Sequence, residues 1–332
     1  MKLHCQSLTF VILLSGLLAG CSRHSPAGTP ETKPVATNAP ANAAPPAPVS
    51  LKLKWQVGRR YLLRMETVQN WQGEAQNNQP PPEQTISLAH DYGVTVRRAL
   101  PDGGRELEVE FVAQKLHYFA NGITWVNFDS AQKPEADQDN PVAPLLRKLT
   151  GARVTCQLDA AGKMTGVQGF KELNDRMAGG MAEIRQMIAG FLNEENLRQL
   201  FDVAEALPPD GAVKPGDTWQ RKLALPDPTG IMNLDMQCTF AAWDSKDGHP
   251  CARIAITGPV TSQPKAAAGS RNMTQIDTGT LDTKAWLDPE LGMLINTATE
   301  MHLQLTTTTA GKAVHSRANF TINTRLVSVS VN

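Results

Sequence analysis

Histidine is where metal and acid–base chemistry usually begins, and residues 51–332 carry five: His90, His117, His249, His302 and His315. None falls at H-x-x-x-H or H-E-x-x-H spacing, so no helix of this chain presents a paired zinc-ligand face. His302 and His315 lie on successive strand patterns. A tight turn at Ala310-Gly311 leaves them several residues out of register, and both read as solvent-facing. Asp137-Gln138-Asp139-Asn140 sets oxygen atoms at alternating positions, as Ca²⁺ requires, but lacks the central glycine and terminal glutamate of a calcium loop. It reads as a solvated acidic loop. There is no G-x-S-x-G elbow, no C-x-x-C pair and no glycine-rich phosphate loop. Cys156 would become a nucleophile only beside a base brought to it by the fold, and nothing in its surroundings marks it as activated. The expectation is a chain without catalytic residues, metal or cofactor, and not an enzyme.

One cysteine does carry a reaction. Cys21 ends the stretch Leu18-Ala19-Gly20-Cys21, behind Lys2 and an apolar run from Leu8 to Leu18. That run is too short for the ~20 residues of a membrane-spanning helix, and it suits the apolar core of a signal peptide. The stretch resembles the lipobox of bacterial lipoprotein signal peptides. The resemblance implies cleavage before Cys21, lipid on its sulfur, and membrane attachment through that lipid. Ser22, where an Asp would signal inner-membrane retention, implies the outer membrane.

Charge narrows the partners. The 332 residues hold 32 Lys+Arg and 32 Asp+Glu, and loss of Lys2 with residues 1–20 leaves 31 basic against 32 acidic. A body so close to neutral has no global field for a polyanion, and no nucleic-acid partner is expected. With 41% hydrophobic residues it has enough apolar material for a core. Beyond Cys5 and Cys21 remain Cys156, Cys238 and Cys251, so at most one disulfide forms within the chain. The candidate pair is Cys238 and Cys251. A turn at Lys246-Asp247-Gly248 sets Cys238 about four residues out of register with Cys251, too far to bridge, and buried free thiols are expected.

The elements that position these residues follow from periodicity. Residues 22–50 are rich in Pro, Ala and Thr, and the seven prolines Pro26, Pro30, Pro34, Pro40, Pro45, Pro46 and Pro48 suppress helix and sheet alike. At ~3.1 Å per residue this tether reaches up to about 90 Å. From Leu51 the pattern becomes strand and turn. Strands are expected at Arg60 to Gln69, Tyr92 to Leu100, Met236 to Trp243, Ala252 to Thr257, Thr280 to Leu287 and Leu294 to Thr308. Glu106 to Phe111 alternates, with Leu107, Val109 and Phe111 on one face and acids on the other. Val154 to Leu158 and Met164 to Val167 form a hairpin. Gln72 to Gln84 and Ser130 to Pro144 read as long loops. Residues 170–207 have helical spacing instead, and the stripe Ile184, Met187 and Phe191 is either core-facing or one wall of an apolar ligand trough. Near the C-terminus Phe320 and Ile322 share one parity while Val327, Val329 and Val331 have the other, which calls for a bulge near Thr324-Arg325.

Three punctuation marks occur twice: Gly58 with Tyr61 and Gly216 with Trp219, Asp102-Gly103 and Asp247-Gly248, Leu158-Asp159 and Leu287-Asp288. A duplicated β-meander and a coincidence of common turn chemistry both fit. The expected architecture is mainly β (α+β): antiparallel curved sheets, with halves at 51–169 and 211–332 joined by helices at 170–207. Trp55-Gln56-Val57-Gly58-Arg59-Arg60-Tyr61, Phe128-Asp129-Ser130, Lys214-Pro215-Gly216-Asp217-Thr218-Trp219 and Leu287-Asp288-Pro289-Glu290-Leu291-Gly292 are similar to uncharacterised bacterial envelope lipoproteins that share a domain of unknown function. The resemblance covers Leu51 to Asn332. It implies an envelope location and a β-rich body and supplies no catalytic residues.

The functional expectation is a lipid-anchored envelope protein that binds a ligand or an envelope partner or supports assembly, with carriage of a hydrophobic ligand as its sharper form. The rivals are an envelope hydrolase whose site assembles in space and a passive spacer. The anchoring reaction is testable by itself. Cells fed radioactive palmitate label the native chain and not the Cys21→Ser variant; equal labelling of the two removes the anchor.

Overall fold

The computed structural model describes residues 47–331 apart from 76–79, 138, 139, 141, 177–193, 195, 196, 199, 200, 202–207, 228, 229, 265–271 and 310. The lipobox residues and the stripe Ile184, Met187 and Phe191 lie outside the described residues. Twelve strands are described: β1 (Arg59–Gly73), β2 (Glu83–Ala99), β3 (Arg105–Ala120), β4 (Ile123–Asp129), β5 (Arg153–Leu158), β6 (Met164–Gln168), β7 (Thr218–Asp227), β8 (Gly230–Lys246), β9 (His249–Pro264), β10 (Asn272–Asp288), β11 (Met293–Thr309) and β12 (Lys312–Val331). Helix α1 (Ala143–Leu149) and helix α2 (Phe170–Arg176) flank β5 and β6. The chain is mainly β, as its alternation requires.

All the strands join one antiparallel, open, curved sheet in the order β6-β5-β3-β2-β1-β12-β11-β10-β9-β8-β7. β4 lies beside β3, along Lys115 to Ala120, while β5 takes Arg105 to Glu110 on the same side. Two hairpins turn through residues with positive φ in both central positions, Asn121-Gly122 and Asp247-Gly248. This conformation matches the right-handed twist of the strands it joins and excludes most side chains at the second position. The repeated marks fall at matching turns: Asp102-Gly103 joins β2 to β3 and Asp247-Gly248 joins β8 to β9, then β5–β6 and β10–β11 meet at the two Leu-Asp turns. The halves build a single sheet because β1 pairs with β12, from Arg59 opposite Val331 to Gly73 opposite Ser316.

That pairing contains the parity change expected in the last strand, at a different residue. Leu62 faces Ser328 and Leu63 faces Leu326, so Val327 is the extra residue. The bulge sits past Thr324-Arg325 because Leu326 still points inward with Phe320 and Ile322. Beyond it only Val329 packs against a core, while Val327 and Val331 are exposed.

The sheet buries one face, here the inner face, in two large clusters, and a small third cluster gathers Cys251, Trp286 and Ile295. Strands β7–β12 enclose a core around Met236, Phe240, Ile254, Met301 and Phe320. The first half packs Tyr61, Val109 and Phe111 against Leu146 and Leu149 of α1 and Leu173 of α2. The expected loop at Ser130 to Pro144 contains a 3₁₀ turn (Pro134–Asp137) and leads into α1, which was not anticipated because seven residues give barely two helical turns. In the expected helical segment, α2 and the helical residues Glu194, Leu197, Arg198 and Phe201 are described, and Leu197 and Phe201 enter the first core.

A strap from Val49 to Gly58 laces the halves together. Val49 exchanges backbone hydrogen bonds with Val213 at 2.8 and 2.9 Å. Leu51 enters the second core, and Trp55 packs on the first, edge-on to Tyr61 at 5.5 Å. Between them the β10–β11 tip is held: Lys54 N–H donates to the Gly292 carbonyl at 2.7 Å and Lys54 Nζ to the Pro289 carbonyl at 2.7 Å. The opposite face of β1–β3 and β5 carries paired charges. Arg60 meets Glu110 at 2.8 Å, Arg97 meets Glu108 at 2.6 Å and Arg98 meets Glu106 at 2.7 Å, which places the three glutamates outward as their alternation with Leu107, Val109 and Phe111 requires.

The closest strand approach is at Gly258 on β9, where an added Cβ would lie 2.0 Å from the Asp235 carbonyl oxygen on β8. Backbone cannot retreat as a side-chain tip can, so Gly258→Ala should cost more than about 1 kcal/mol in urea denaturation. Gly211→Ala, with open space around the new Cβ, should change stability by less than about 0.5 kcal/mol. Equal stability of the two variants would contradict the close approach.

Candidate functional site

Nucleophilic chemistry has one candidate constellation among the described residues, at the tip of the second half. His249 Nδ1 lies 2.9 Å from Asp288 Oδ2, and Cys251 sits two residues further along β9, on the same side of the strand. The thiol is fully buried, and burial pushes it up to about 12, which keeps it protonated and unreactive. Asp288 instead locks the turn. Its Oδ1 accepts the backbone N–H groups of Glu290 at 2.9 Å and Leu291 at 3.0 Å. Cys156 and Cys238 are likewise buried free thiols, pushed up by burial to about 12 and about 11. Cys238 pairs with Ile256 and Cys251 with Asp244, so the two are out of register, as expected, and unbridged.

The other sequence candidates are dispersed. His302 contacts Asn319 at 2.7 Å and His315 contacts Thr306 at 2.8 Å, both on exposed strand positions, out of register with each other. Asp137 is tied to Arg147 of α1, and Asn140 caps the approach to that helix by accepting the Val142 N–H at 3.1 Å. Among the described residues no group of three His, Cys, Asp or Glu side chains is placed to hold a metal ion.

The unusual chemistry lies on the inner face of β1–β3, between the two cores. Counting from Tyr61, the odd positions of β1 point inward, and Thr67 and Gln69 are among them. The register carries that face to Gln84 and His90 on β2 and to Gln114 on β3. His90 stands directly between Met65 and Gln114, Thr67 lies opposite Leu88, and Gln84 lies opposite Trp71. Thr67, Gln69, Gln84 and Gln114 are 3%, 1%, 7% and 3% exposed. Yet Thr67 Oγ1, both amide atoms of Gln69, Gln84 Nε2, His90 Nδ1 and both amide atoms of Gln114 have no hydrogen-bond partner among the described residues. Gln84 Oε1 alone accepts a long bond, from the Tyr118 hydroxyl at 3.5 Å. Each buried polar atom left without a partner costs about 1–3 kcal/mol. Seven of them would consume the ~5–15 kcal/mol by which a domain is ordinarily stable. Partners beyond the described residues, such as solvent or a ligand, are what this balance calls for.

The field is polar without being charged. No Asp, Glu, Lys or Arg occupies the inward positions of β1–β3 around it. Asp91, next to His90, points to the other face, where Arg64 grips it with two bonds of 2.6 Å. His90 stacks on Tyr92 at 5.7 Å. Burial pushes its imidazole down to about 4, against a smaller opposite pull from Asp91, so the ring is neutral. Burial also raises the Tyr92 hydroxyl above its ordinary range. In the sequence this field shows only as polar residues, singly at Gln84, His90 and Gln114 and as the pair Thr67 and Gln69, on strand faces that are otherwise apolar. Among the five histidines nothing in the sequence singles out His90 or sets it beside Thr67, Gln69, Gln84 and Gln114, which the strand register brings to it.

The histidine makes a pH test. Between about 6.5 and about 4 the unfolded chain binds a proton at residue 90 that the folded chain refuses, so stability falls as pH drops through that window, by up to about 3 kcal/mol. Urea denaturation at pH 7.0 and pH 4.5 should show a smaller acid loss for His90→Gln than for the native chain. An identical loss in both would place His90 in water.

No curated protein matches the chain. A lipovitellin structure, titled as a study of its lipid–protein interactions, aligns with 84% of this chain at 10% identity and a TM-score of 0.46, and the chain spans 26% of lipovitellin's length. DynF from the dynemicin biosynthesis pathway of Micromonospora chersina aligns with 89% of this chain and 92% of its own at 8% identity, with a TM-score of 0.20. Neither likeness is close enough to carry a functional argument. The match of a family model is more direct: it spans residues 102–294, more than half of the chain and most of the sheet from β3 to the start of β11, and the chain belongs to the family of unknown function DUF6263.

Proposed function

We propose that this chain is an exported protein, anchored in the cell envelope through lipid on Cys21, whose sheet carries a hydrophobic ligand without catalysing a reaction. The tether at residues 22–50 holds the sheet off the membrane and lets it reach ligand there. The observation that supports carriage is the state of the inner-face apolar residues between the cores. Leu63, Tyr92 and Leu116, at the edge of the first core, and Leu88 point to the buried side of the sheet and remain half-buried. Leu88 joins neither core, and Met65 and Ile86, both buried, lie outside the cores as well.

Apolar surface left over on the inner side of a sheet gains about 25 cal/mol per Å² when an apolar chain covers it. A site of that kind, mostly apolar with few polar groups, is the usual form of a small-ligand site. The tightly buried thiols and the dispersed histidines fit a carrier better than a hydrolase. An outer-membrane location and an envelope protein or membrane as the second partner follow from the anchor.

Native mass spectrometry of the chain extracted from its own envelope tests this reading. An apolar small molecule bound near one per chain, in addition to the lipid on Cys21, is the expected result. A chain that carries only its covalent lipid would overturn it.

A further inference from the structure

We infer that Thr67, Gln69, Gln84, His90 and Gln114 form a head-group seat, which selects an uncharged amphiphile bearing hydroxyl, ester or amide groups. The inference rests on the carrier reading and adds the class of ligand. Its ground is the pairing of two facts at one place. The side chains are more than nine-tenths buried at Thr67, Gln69, Gln84 and Gln114, and all their polar atoms except Gln84 Oε1 are unanswered among the described residues.

Donors and acceptors are both present. Gln69 and Gln114 each offer an amide N–H₂ and an amide oxygen, Gln84 offers N–H₂, and Thr67 offers a hydroxyl that does either. A hydroxyl or ester group matches such a mixture, whereas a hydrocarbon would leave every one of these atoms unpaired. Ionised heads fit worse. A carboxylate or phosphate would leave water for a field that has no cation on its inward positions, and burying an uncompensated charge is far costlier than burying a neutral dipole. His90 cannot supply the cation, because its surroundings favour the neutral ring.

The spacing sets the size of the head. Thr67 is two residues out of register with His90, Gln69 two with Gln84, and Gln114 lies one strand beyond His90. At ~3.4 Å per residue and ~4.8 Å per strand, the field runs about 20 Å along the strands, from Gln84 to Gln114, and about 10 Å across them. A head with several polar groups in a row, such as an acylated glycerol, reaches more of these residues than a single hydroxyl does, while covering only part of the field. Met65, Ile86, Leu88 and Leu116 alternate with these residues and provide apolar contact for the first carbons of the tail.

Trp71, on the inner face opposite Gln84, reports on this seat through quenching by bromine. The full chain, held in amphipol, is titrated with three 9,10-dibrominated C18 probes: a monoacylglycerol, the free fatty acid and the hydrocarbon. The monoacylglycerol should bind at least tenfold tighter than the other two. The double change Gln69→Leu with Gln114→Leu should erase that preference and leave hydrocarbon binding unchanged or tighter. Because it removes unanswered polar groups the variant should fold, and Thr67→Val, nearly equal in shape, gives a second, smaller loss of preference. Equal binding of monoacylglycerol and hydrocarbon by the native chain overturns the inference and points to buried water as the partner of these atoms. Tighter binding of the fatty acid overturns it too, and so does a preference that survives the double change. These three results leave carriage standing, whereas failure of all three probes to quench refutes carriage along with the seat.

Discussion

The antiparallel pairing of β1 with β12 is the contact on which the rest of the molecule depends. It joins the first described strand to the last, over fifteen residue pairs, and makes one sheet of two halves that would otherwise be separate meanders. The cost of bringing such distant segments together grows only with the logarithm of the intervening length, about 0.6 kcal/mol per doubling. A ladder of this length easily offsets it. The pairing also fixes which side of each half is inward, since a one-residue slip would turn Phe320 and Ile322 to solvent. Val327, as the odd residue in the bulge, lets Leu326 and Val329 both point inward on either side of it.

Because the two halves share one inner face, the space between their cores is part of the fold. The second core ends near Phe320, Ile322 and Trp71, and the first begins near Leu63 and Tyr61. Between them β1–β3 present Thr67, Gln69, Gln84, His90 and Gln114 where the alternation would ordinarily place valine or leucine. A sequence selected for stability alone has no use for seven unanswered polar atoms in that position. Their burial makes sense if another molecule completes them. The strap at Val49–Gly58 and the Asp288-locked tip hold the two halves in fixed relation around this space, at backbone hydrogen bonds of 2.7–2.9 Å.

How much of this is readable in the sequence depends on the range of the interaction. Period-two alternation found most strands, since Leu107, Val109 and Phe111 or Met301, Leu303 and Leu305 announce a face without any knowledge of the partner strand. Turn chemistry found the hairpins at Asp102-Gly103, Asp247-Gly248 and Leu287-Asp288. The same signal at Asn121-Gly122 would have found β4, whose seven residues carry too weak an alternation to stand out. The expected loop ends at Gln84 and the expected strand begins at Tyr92, because Gln84 and His90 interrupt the apolar positions of the first half of β2, so the residues that matter most to the site are those that hide the strand. The β1–β12 pairing and the His249–Asp288 contact join residues far apart in the chain, and no local pattern records such partners. The dispersal of His302 and His315 and the mismatch of Cys238 with Cys251 were legible because a single turn decides each.

The central claim is that the polar field of β1–β3 is completed by a neutral amphiphile, and a crystal structure of the chain purified from its own envelope tests it most directly. The account predicts continuous ligand density along the inner face, with an uncharged polar group within hydrogen-bond distance of Gln69, Gln84 or Gln114 and its tail against Leu88 and Leu116. Ordered water alone on those amides, with no tail density beside the leucines, would contradict it.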